Sequence, residues 1–290
     1  MKTILVTGSQ GFIGSHLCHV LDALGYDVLE VDKKSGPDLT KGCKNFPDAD
    51  IVVHLAAFNG TKYFYQQPYD VIRENVMSTQ YLLDRYAGKV ERFIFSGSCE
   101  SYAGAVNLFD WEVPTSENVP LVVDDVANPR WSYGGSKILN ELQVQAAHQQ
   151  FGQDFTTIRY HNIYGPGQTD HFIQEFYQRA KQGDLTLHGW KNTRSFMFIT
   201  DAIHATVGII QNDICKNQII NVGVEDERTI KEVAEIILKQ SDIEGELVLN
   251  DAPNGSVSRR QADVSKLKRL INFKPTVSLE QGIKLTLDSL

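Results

Sequence analysis

Short runs of aliphatic and β-branched residues alternate with longer segments of helical periodicity through the first 160 residues of the chain. This alternation predicts parallel strands joined by crossover helices that cover both faces of a sheet. The strand-like runs are residues 3–6, 27–31, 51–55, 92–96 and 155–160, and the helical segments are residues 12–24, 70–86 and 133–150. We therefore expect an α/β fold with a doubly wound parallel sheet of six such strands.

The alternation gives way to shorter pieces after Gly165. Helices are predicted over residues 172–181, 203–210 and 229–239, and strands over residues 185–188 and 195–199. Thr229 and Glu232 have the spacing of a capping box, which supports a helix start there. We expect residues 1–165 to form one domain, joined by part of 193–222, and residues 166–290 to form mainly a smaller α+β subdomain. Because open α/β sheets bind ligands beyond the carboxyl ends of their strands, this subdomain should close over that edge.

The composition is that of a globular protein and excludes several classes of partner. The 290 residues are 42% hydrophobic and 22% charged, which is enough to build a large core and excludes disorder over the whole chain. A net charge of −8 offers no basic field for a nucleic acid. The four cysteines are widely spaced, so reduced thiols and no structural metal site are expected. The first apolar run stops at Gly8, too short for a signal peptide or a membrane span, which favours a cytoplasmic protein without membrane contact.

Three glycines between the first strand and the first helix indicate a dinucleotide site. Gly8, Gly11 and Gly14 suit a tight turn, a close approach of the backbone to a pyrophosphate and close packing of the helix on the sheet. A plain strand-to-helix turn has the same spacing, so the context decides. Asp32 ends the second strand about 20 residues further on, where a carboxylate accepts ribose hydroxyls and repels a 2′-phosphate. This favours NAD over NADP and a Rossmann-like sheet, with the two lysines after Asp32 expected in solvent.

Tyr133 and Lys137 are the first candidates for catalysis. They are four residues apart at the start of a predicted helix and therefore share one face. A fixed ammonium beside a phenol stabilises the phenolate, so we expect the pKa of Tyr133 to be lowered. Such a pair is common on protein surfaces, and only its combination with the glycine motif favours a catalytic role.

The chain resembles the extended short-chain dehydrogenase/reductase family, in its nucleotide-sugar epimerase/dehydratase branch, over nearly its whole length. The motifs that carry the resemblance are Gly8-x-x-Gly11-x-x-Gly14, His54-Leu55-Ala56-Ala57 after an expected fourth strand, Asn75-Val76, Tyr133 with Lys137, and Arg159-Tyr160-His161-Asn162-Ile163-Tyr164-Gly165-Pro166. The resemblance implies NAD as the cofactor. It places NAD on Gly8, Gln10, Gly11, Phe12, Ile13, Gly14, Asp32, Asp38, Leu39, Leu55, Ala56, Ala57, Asn75, Tyr133, Lys137, Tyr160 and Ile163.

The same resemblance implies a reaction and an assembly. A tyrosinate at Tyr133 would take the proton of a sugar hydroxyl, usually at carbon 4, while hydride moves to NAD, with Ser98 bonded to that hydroxyl. An ordinary strand-end cap is the alternative role of Ser98. A homodimer is expected through the helices around residues 70–86 and 133–150. One departure from the family pattern is the short segment of residues 32–50, which predicts an abbreviated third strand and leaves Asp38-Leu39 as the adenine contact. Another is a bulky tryptophan in place of the glycine-rich turn at residues 189–192.

Glu100 bears on which sugar chemistry follows. The segment from Ser98 to Tyr102 is similar to the T-S-E-x-Y-G of mannose-type 4,6-dehydratases and uronic-acid decarboxylases. A carboxylate there would remove the carbon 5 proton of a 4-keto sugar; a solvated carboxylate is the alternative. Cys99 stands where some dehydratases have an aspartic acid. Binding of the substrate is expected to involve Ser98, Cys99 and Glu100, with Asn162 as an organiser and Arg194 and Arg260 on the pyrophosphate.

The sequence thus predicts an NAD-dependent enzyme that acts on a nucleoside-diphosphate sugar through a 4-keto intermediate, as an epimerase or a 4,6-dehydratase. Three alternatives stay open: a nucleotide-uronic-acid decarboxylase, a net reductase of 4-keto sugars, and a non-catalytic NAD-binding protein. The last is disfavoured because a binding module has no need of a positioned base.

Overall fold

A computed structural model describes residues 1–253 and 256–290 of the chain. Its strands, in chain order, are β1 (Thr3–Thr7), β2 (Asp27–Val31), β3 (Ile51–His54), β4 (Arg92–Ser98), β5 (Phe155–Tyr160), β6 (Ile163–Tyr164), β7 (Thr186–His188), β8 (Thr193–Ser195), β9 (Met197–Phe198), β10 (Gln218–Val222), β11 (Glu227–Thr229), β12 (Val248–Asn250) and β13 (Arg259–Arg260). Its α-helices are α1 (Phe12–Ala23), α2 (Thr61–Gln66), α3 (Pro68–Tyr86), α4 (Ala103–Phe109), α5 (Trp131–Phe151), α6 (Phe172–Lys181), α7 (Ile199–Gln211), α8 (Ile230–Gln240), α9 (Ser265–Ile271) and α10 (Leu279–Leu287).

Six parallel strands form the main sheet, in the order β10-β5-β4-β3-β1-β2. The three central strands β3, β4 and β5 are buried along their whole length, because helices cover both faces of the sheet. The five strand runs recognised in the sequence all form, and β10 returns from the second half of the chain as the sixth strand. The α/β class and the doubly wound sheet are therefore confirmed.

The predicted third strand is wrong. Residues 32–50, all of which the structure describes, form a 3₁₀ helix (Leu39–Lys41) and turns, but no strand. The apolar residues of this segment, Leu39, Cys43 and Phe46, are buried in a core cluster with residues of α3. Their spacing of three to four residues suits this irregular cover better than the alternation that a strand needs. As a result the His54 motif follows the third strand of the chain and not the fourth.

The second half of the chain forms a smaller α+β region of short sheets and helices. One sheet has the order β11-β8-β13, and two further pairs are β12-β7 and β6-β9. The predicted capping box is present: Thr229 accepts from the backbone of Glu232, and Glu232 accepts in return from Thr229. The single strand predicted over residues 195–199 is wrong, since β8 and β9 belong to different sheets and α7 begins at Ile199.

One hydrophobic core runs through both halves of the chain. A single cluster joins residues of β1 and α1 to residues of α7, α8 and α10. The division at residue 165 thus stays a prediction. The four cysteines are buried and unpaired. Within the described ranges, every helix is too short or too polar to cross a membrane.

Candidate active site

The glycine loop at the carboxyl end of β1 is packed so closely that only hydrogen fits at two positions. Gly8 has a φ of +71°, and a Cβ there would lie 2.7 Å from the backbone nitrogen of Ala56. A Cβ on Gly14 would lie 2.0 Å from the carbonyl oxygen of Gly8. Gly11 is the N-cap of α1 and has no side chain to accept from the first N–H groups of that helix. The result is a backbone cradle with the positive end of a helix dipole, which suits a pyrophosphate.

Asp32 lies beside this cradle. Its Oδ2 accepts from the backbone nitrogen of Gln10 at 3.0 Å, and its Oδ1 accepts from the backbone nitrogen of Lys34 at 2.9 Å. The Lys34 ammonium donates to the carbonyl oxygen of Gln10 at 3.1 Å, and Lys33 pairs with Glu74 at 3.2 Å. The two lysines are exposed, as expected, but each also has a polar partner. The carboxylate thus stands at the end of β2, level with the glycine loop.

Other residues expected to contact a dinucleotide have structural roles as well. Asp38 accepts from the backbone nitrogen of Thr40 at 2.9 Å and from its hydroxyl at 2.7 Å, and these bonds hold the pKa of Asp38 below its usual value. Leu39 is buried in the core. Leu55 and Ala56 lie partly buried next to Gly8, whereas Ala57 is exposed. The cofactor contacts of these residues stay predictions. So do those of Phe12 and Ile13, which are partly buried at the start of α1.

Asn75 connects the loop after β3 to α5. Its side chain accepts from the backbone nitrogen of Phe58 at 2.7 Å and donates to the hydroxyl of Ser136 at 3.1 Å. It is 1% exposed. Ser136 lies between Tyr133 and Lys137 on α5. Asn75 therefore holds the loop after β3 in a fixed position relative to the helix that carries these two candidate catalytic residues.

Ser98, Tyr133 and Lys137 converge at the carboxyl end of β4. Ser98 is the last residue of that strand, and its hydroxyl accepts from the backbone nitrogen of Glu100 at 3.2 Å. Tyr133 and Lys137 lie on the first turns of α5 and are both buried. The Lys137 ammonium donates to the carbonyl oxygen of Ser96 at 2.7 Å and lies 5.7 Å from the centre of the Tyr133 ring. The cation is thus held by β4, next to the phenol.

The prediction that the pKa of Tyr133 is lowered is wrong when only the groups of the protein act on the phenol. Burial raises this pKa, and the interaction with Ser98 offsets only part of the rise. Burial also lowers the pKa of Lys137 to about 7. Removing both groups from water disfavours both charged forms, and the ammonium is bonded to a backbone carbonyl instead of the phenol oxygen.

Glu100 lies between arginines that come from distant parts of the chain. Its Oε2 accepts from Arg130 at 3.0 Å, and its Oε1 is 2.7 Å from Arg260, with Arg194 close enough to act on it electrostatically. Burial raises the pKa of Glu100, but Arg260 and Arg130 more than offset this, and its pKa falls to about 2. A simply solvated carboxylate is therefore wrong, since the arginines pair with Glu100 and favour its ionised form. Its role as a base at carbon 5 stays a prediction.

The neighbours of Glu100 complete a cationic pocket with a protonated thiol. Cys99 is buried, which raises its pKa, so it stays a thiol at neutral pH. Arg194 donates to the carbonyl oxygens of Thr193 and Val257, and burial lowers its pKa to about 9. The expectation that the second half of the chain reaches the carboxyl edge of the sheet is confirmed by the contact between Arg260 and Glu100.

A second set of buried polar residues packs next to this pocket. Arg159 forms a two-point ion pair with Glu141, at 3.0 and 2.8 Å, and stands over the ring of Tyr102. Tyr102 is hydrogen-bonded to His161, whose pKa burial lowers to about 3, so that it is neutral. Tyr102 is the last residue of the 3₁₀ helix Cys99–Tyr102. This network therefore also restricts the position of Cys99 and Glu100.

Asn162 ties the segment after β5 to the strand of Arg194. It has a φ of +36°, and its side chain donates to the carbonyl oxygen of Ser195 at 2.9 Å. This fits the predicted role as an organiser of the backbone. Tyr160 is hydrogen-bonded to Thr206, and Ile163 is buried in the core, so their contacts to a cofactor stay predictions.

Sequence reasoning missed Phe64, whose ring is stacked on Tyr133 with centres 4.9 Å apart. The only signal in the sequence was an aromatic run of three residues, 63–65, shortly after the His54 motif. In the described ranges there is no group of three or more His, Cys, Asp and Glu residues that would hold a metal ion.

Comparisons with known proteins point to one family. A family model described as the NAD dependent epimerase/dehydratase family matches residues 4–223. The UDP-N-acetyl-alpha-D-glucosaminuronate decarboxylase of Bacillus cytotoxicus is 32% identical, over 99% of this chain and 97% of its own length. A solved NAD-dependent NDP-hexosamine 5,6-dehydratase of tunicamycin biosynthesis has a TM-score of 0.86 and 25% identity, covering 100% of this chain and 97% of its own. A variant of the UDP-glucuronic acid 4-epimerase of Bacillus cereus, solved with NAD and UDP-4-deoxy-4-fluoro-glucuronic acid, has a TM-score of 0.85 and 25% identity, covering 99% of this chain and 98% of its own.

Proposed function

The chain belongs to the NAD dependent epimerase/dehydratase family, and from this premise we propose that it oxidises carbon 4 of a nucleoside-diphosphate uronic acid and then decarboxylates it. It is an enzyme of nucleotide-sugar chemistry, and its cofactor is NAD. The observation that carries the proposal is the cluster of Arg130, Glu100 and Arg260 beside Ser98 and Tyr133.

The residues around the glycine loop fit NAD. The cradle that a Cβ on Gly8 or Gly14 would fill accepts a pyrophosphate, and Asp32 stands where a ribose hydroxyl would donate to it. When bound, NAD would supply the reversible hydride transfer that oxidation at carbon 4 needs. Lys137, buried next to Tyr133, is placed to bind the nicotinamide ribose.

Tyr133 and Ser98 handle the proton at the sugar hydroxyl. In its phenolate form, which the Lys137 ammonium and the positive nicotinamide ring of bound NAD would favour, Tyr133 takes the proton from the oxygen on carbon 4. Ser98 holds that oxygen in place by a hydrogen bond. The pocket excludes water, since Ser98 and Tyr133 are each 8% exposed and Lys137 is 2% exposed. The product of this step is a 4-keto sugar that keeps its nucleoside diphosphate.

A 4-keto uronic acid is a β-keto acid, and it loses carbon dioxide without a base. The bond between carbons 5 and 6 breaks, its electron pair moves toward the oxygen on carbon 4, and the hydroxyls of Tyr133 and Ser98 stabilise this enolate. Carbon 5 then takes a proton, and the buried thiol of Cys99 is a proton donor that the pocket offers. Three arginines around one glutamate give the pocket a net positive charge, which suits a sugar that bears a carboxylate. The predicted contacts of Arg194 and Arg260 with the pyrophosphate stay predictions.

The pKa of Glu100 favours decarboxylation over the other candidate reactions. Decarboxylation needs a cationic pocket and no strong base, which fits a Glu100 whose pKa is about 2. The curated relative that is 32% identical is named as a decarboxylase of a UDP-linked uronic acid, which also supports the proposal. Dehydration is the second candidate, because an ionised Glu100 next to a protonated Cys99 forms a base and an acid for the loss of water. It ranks second because so weak a base abstracts a carbon-bound proton slowly.

Products made from a panel of nucleotide sugars test the proposal. We expect a UDP-linked uronic acid to lose the mass of carbon dioxide, without net change in reduced nicotinamide, because the hydride returns to carbon 4. Mass spectrometry distinguishes this from loss of water or from no change in mass, and NMR then reports inversion at carbon 4. Loss of water from a neutral hexose, with no reaction of the uronic acid, would establish dehydration instead. Stoichiometric oxidation or reduction of nicotinamide would indicate a net oxidoreductase.

The variant Glu100→Gln should separate the oxidation step from the loss of carbon dioxide. The amide is neutral and has a single acceptor atom, so both arginines lose their charged partner, one of them also loses its acceptor, and the pocket reorganises. We expect oxidation at carbon 4 to continue and release of carbon dioxide to slow by about 10- to 100-fold, as for loss of a charged hydrogen bond. Reduced nicotinamide should therefore accumulate in a single turnover.

The exposed Glu112→Gln is the matched control for Glu100→Gln, since it removes the same charge from the loop between α4 and α5. It should behave like the parent enzyme. If Glu100→Gln also releases carbon dioxide at the parent rate, the arginine cluster has no part in bond breakage.

We also propose a homodimer built from α3 and α5. These two helices pack against each other, and their outer faces expose large apolar side chains: Tyr69, Ile72, Leu139 and Leu142. Such a patch on paired helices supports the predicted interface. A cytoplasmic location stays a proposal drawn from the sequence.

A further inference from the structure

The ring of Phe64 lies flat against the ring of Tyr133. The two ring centres are 4.9 Å apart, and their planes are within 14° of parallel. Phe64 comes from α2, a short helix that follows the loop after β3. Its two aromatic neighbours point elsewhere: Tyr63 packs on Phe58, and Tyr65 is 56% exposed. Phe64 is therefore the member of this aromatic run that faces the proposed base.

The segment that carries Phe64 is attached to the site on both sides. Before α2, the backbone nitrogen of Phe58 donates to Asn75, and Asn75 also donates to Ser136 on α5. Within α2, the carbonyl oxygen of Phe64 accepts from the hydroxyl of Ser132, at 3.4 Å. Ser132 and Ser136 flank Tyr133 on α5, so α2 is tied to the helix whose tyrosine it covers.

The Tyr133 ring also has a cation nearby. The Lys137 ammonium stands over the ring at 5.7 Å, and it is itself held by the carbonyl oxygen of Ser96. The phenol ring thus has both the Phe64 ring and the Lys137 ammonium as neighbours. The free edge of the ring carries the hydroxyl, which interacts with Ser98.

We propose that Phe64 is a positioning residue for Tyr133, which holds the whole side chain in the direction that brings its oxygen to Ser98 and keeps water from the covered face. This inference rests on the proposed role of Tyr133 as the base. The oxygen lies on the rotation axis of the ring, so it moves only when the whole side chain swings about χ1, a freedom that packing can restrict. A parallel neighbour removes this freedom and leaves the oxygen at the edge accessible to a sugar hydroxyl.

The effect of Phe64 on the hydration of Tyr133 can be measured through the pH at which the phenolate forms. Burial is the largest cause of the raised pKa of Tyr133, and Phe64 covers one face of its ring. The titratable groups that also act on this phenol are Lys137 on α5 and Cys99 and Glu100 on the turn after β4. The face turned toward α2 is covered by the apolar Phe64 ring. Opening that face should let the phenolate form at lower pH without changing any neighbouring charge.

The test is the pH profile of turnover, followed through release of carbon dioxide, together with that of oxidation at carbon 4, followed through transient reduced nicotinamide in a single turnover of the holoenzyme. Phe64→Ala should lower kcat by about three- to tenfold, the range expected for loss of one aromatic pair, with KM nearly unchanged. The rise of rate with pH should move to lower pH, because Tyr133 gains water. Phe64→Tyr keeps the stacked ring and should therefore have the kcat and the pH profile of the parent enzyme. Tyr65→Ala removes an exposed aromatic ring from the same helix and should change neither.

Three results would overturn the role of Phe64. One is a Phe64→Ala enzyme with the parent kcat and pH profile. Another is a loss of thermal stability with an unmoved profile, which would make Phe64 an ordinary packing residue. The third is an equal effect of Tyr65→Ala. Tyr133→Phe is measured alongside: if it is inactive while Phe64→Ala is unchanged, only this inference fails, whereas an active Tyr133→Phe contradicts the proposed base itself.

Discussion

Tyr133→Phe is expected to lower turnover by about 10²- to 10⁴-fold, the range typical of losing a general base. The substitution removes one oxygen atom and keeps the ring that stacks on Phe64, so the packing of α2 on α5 should persist. Turnover of the nucleotide sugar and the absorbance of reduced nicotinamide measure the loss. Bound NAD and the melting temperature should match those of the parent, because the hydroxyl supports neither the glycine loop nor the core.

Tyr26→Phe is the matched control for this variant. Tyr26 lies directly before β2, at the amino edge of the sheet and away from Ser98, and its hydroxyl accepts a long bond of 3.5 Å from Gln211. The control removes the same atom and should leave turnover unchanged. Parent-like turnover in Tyr133→Phe would exclude the tyrosine as the base.

Lys137→Met should also abolish turnover, for a different reason. The ammonium is buried and bonded to Ser96, and burial lowers its pKa to about 7. Methionine fills similar space without the charge that stabilises a phenolate and without a donor for the ribose. The companion result to look for is weaker retention of NAD, which Tyr133→Phe should not show.

Gly14→Ala is expected to remove NAD from the purified protein and to destabilise the fold. The new Cβ would lie 2.0 Å from the carbonyl oxygen of Gly8 and 2.9 Å from the Cα of Ser9, and both are backbone atoms that cannot turn aside. Relieving this contact must move α1 away from β1, which opens the pyrophosphate cradle. A cost of about 3 kcal/mol or more is expected from such overpacking. Cofactor content after denaturation and a thermal melt measure the two effects.

Gly135→Ala is the control with the same chemical change. Its Cβ would meet only the Val123 side chain, at an ordinary 3.7 Å, and it lies within α5. Alanine is a better helix former than glycine by about 1 kcal/mol, so this variant should be as stable as the parent or slightly more so. A Gly14→Ala enzyme that keeps its NAD and its melting temperature would contradict the close packing of the loop.

The elements that sequence analysis found are those that local patterns specify. The five predicted strands of the parallel sheet begin and end near where their apolar runs do, and Phe155–Tyr160 agrees at both ends. The capping box of α8 was read from two residues and is present. The glycine loop could be predicted from a single turn, and Asp32 from the end of a single strand. Since the carboxyl ends of parallel strands share an edge, the meeting of Ser98, Tyr133 and Lys137 could also be expected from the order of elements.

Other features depend on groups that are distant in the chain. The sequence did not show that Glu100 is paired with Arg130 and Arg260, and so its very low pKa could not be foreseen. The sign of the change at Tyr133 was predicted wrongly, because burial by surrounding elements outweighs a neighbouring charge. The missing third strand and the stacking of Phe64 likewise come from packing. Local periodicity was thus sufficient for the sheet and the cofactor loop, whereas solvation and ion pairing, which set the chemistry at carbons 5 and 6, arise only when distant segments come together.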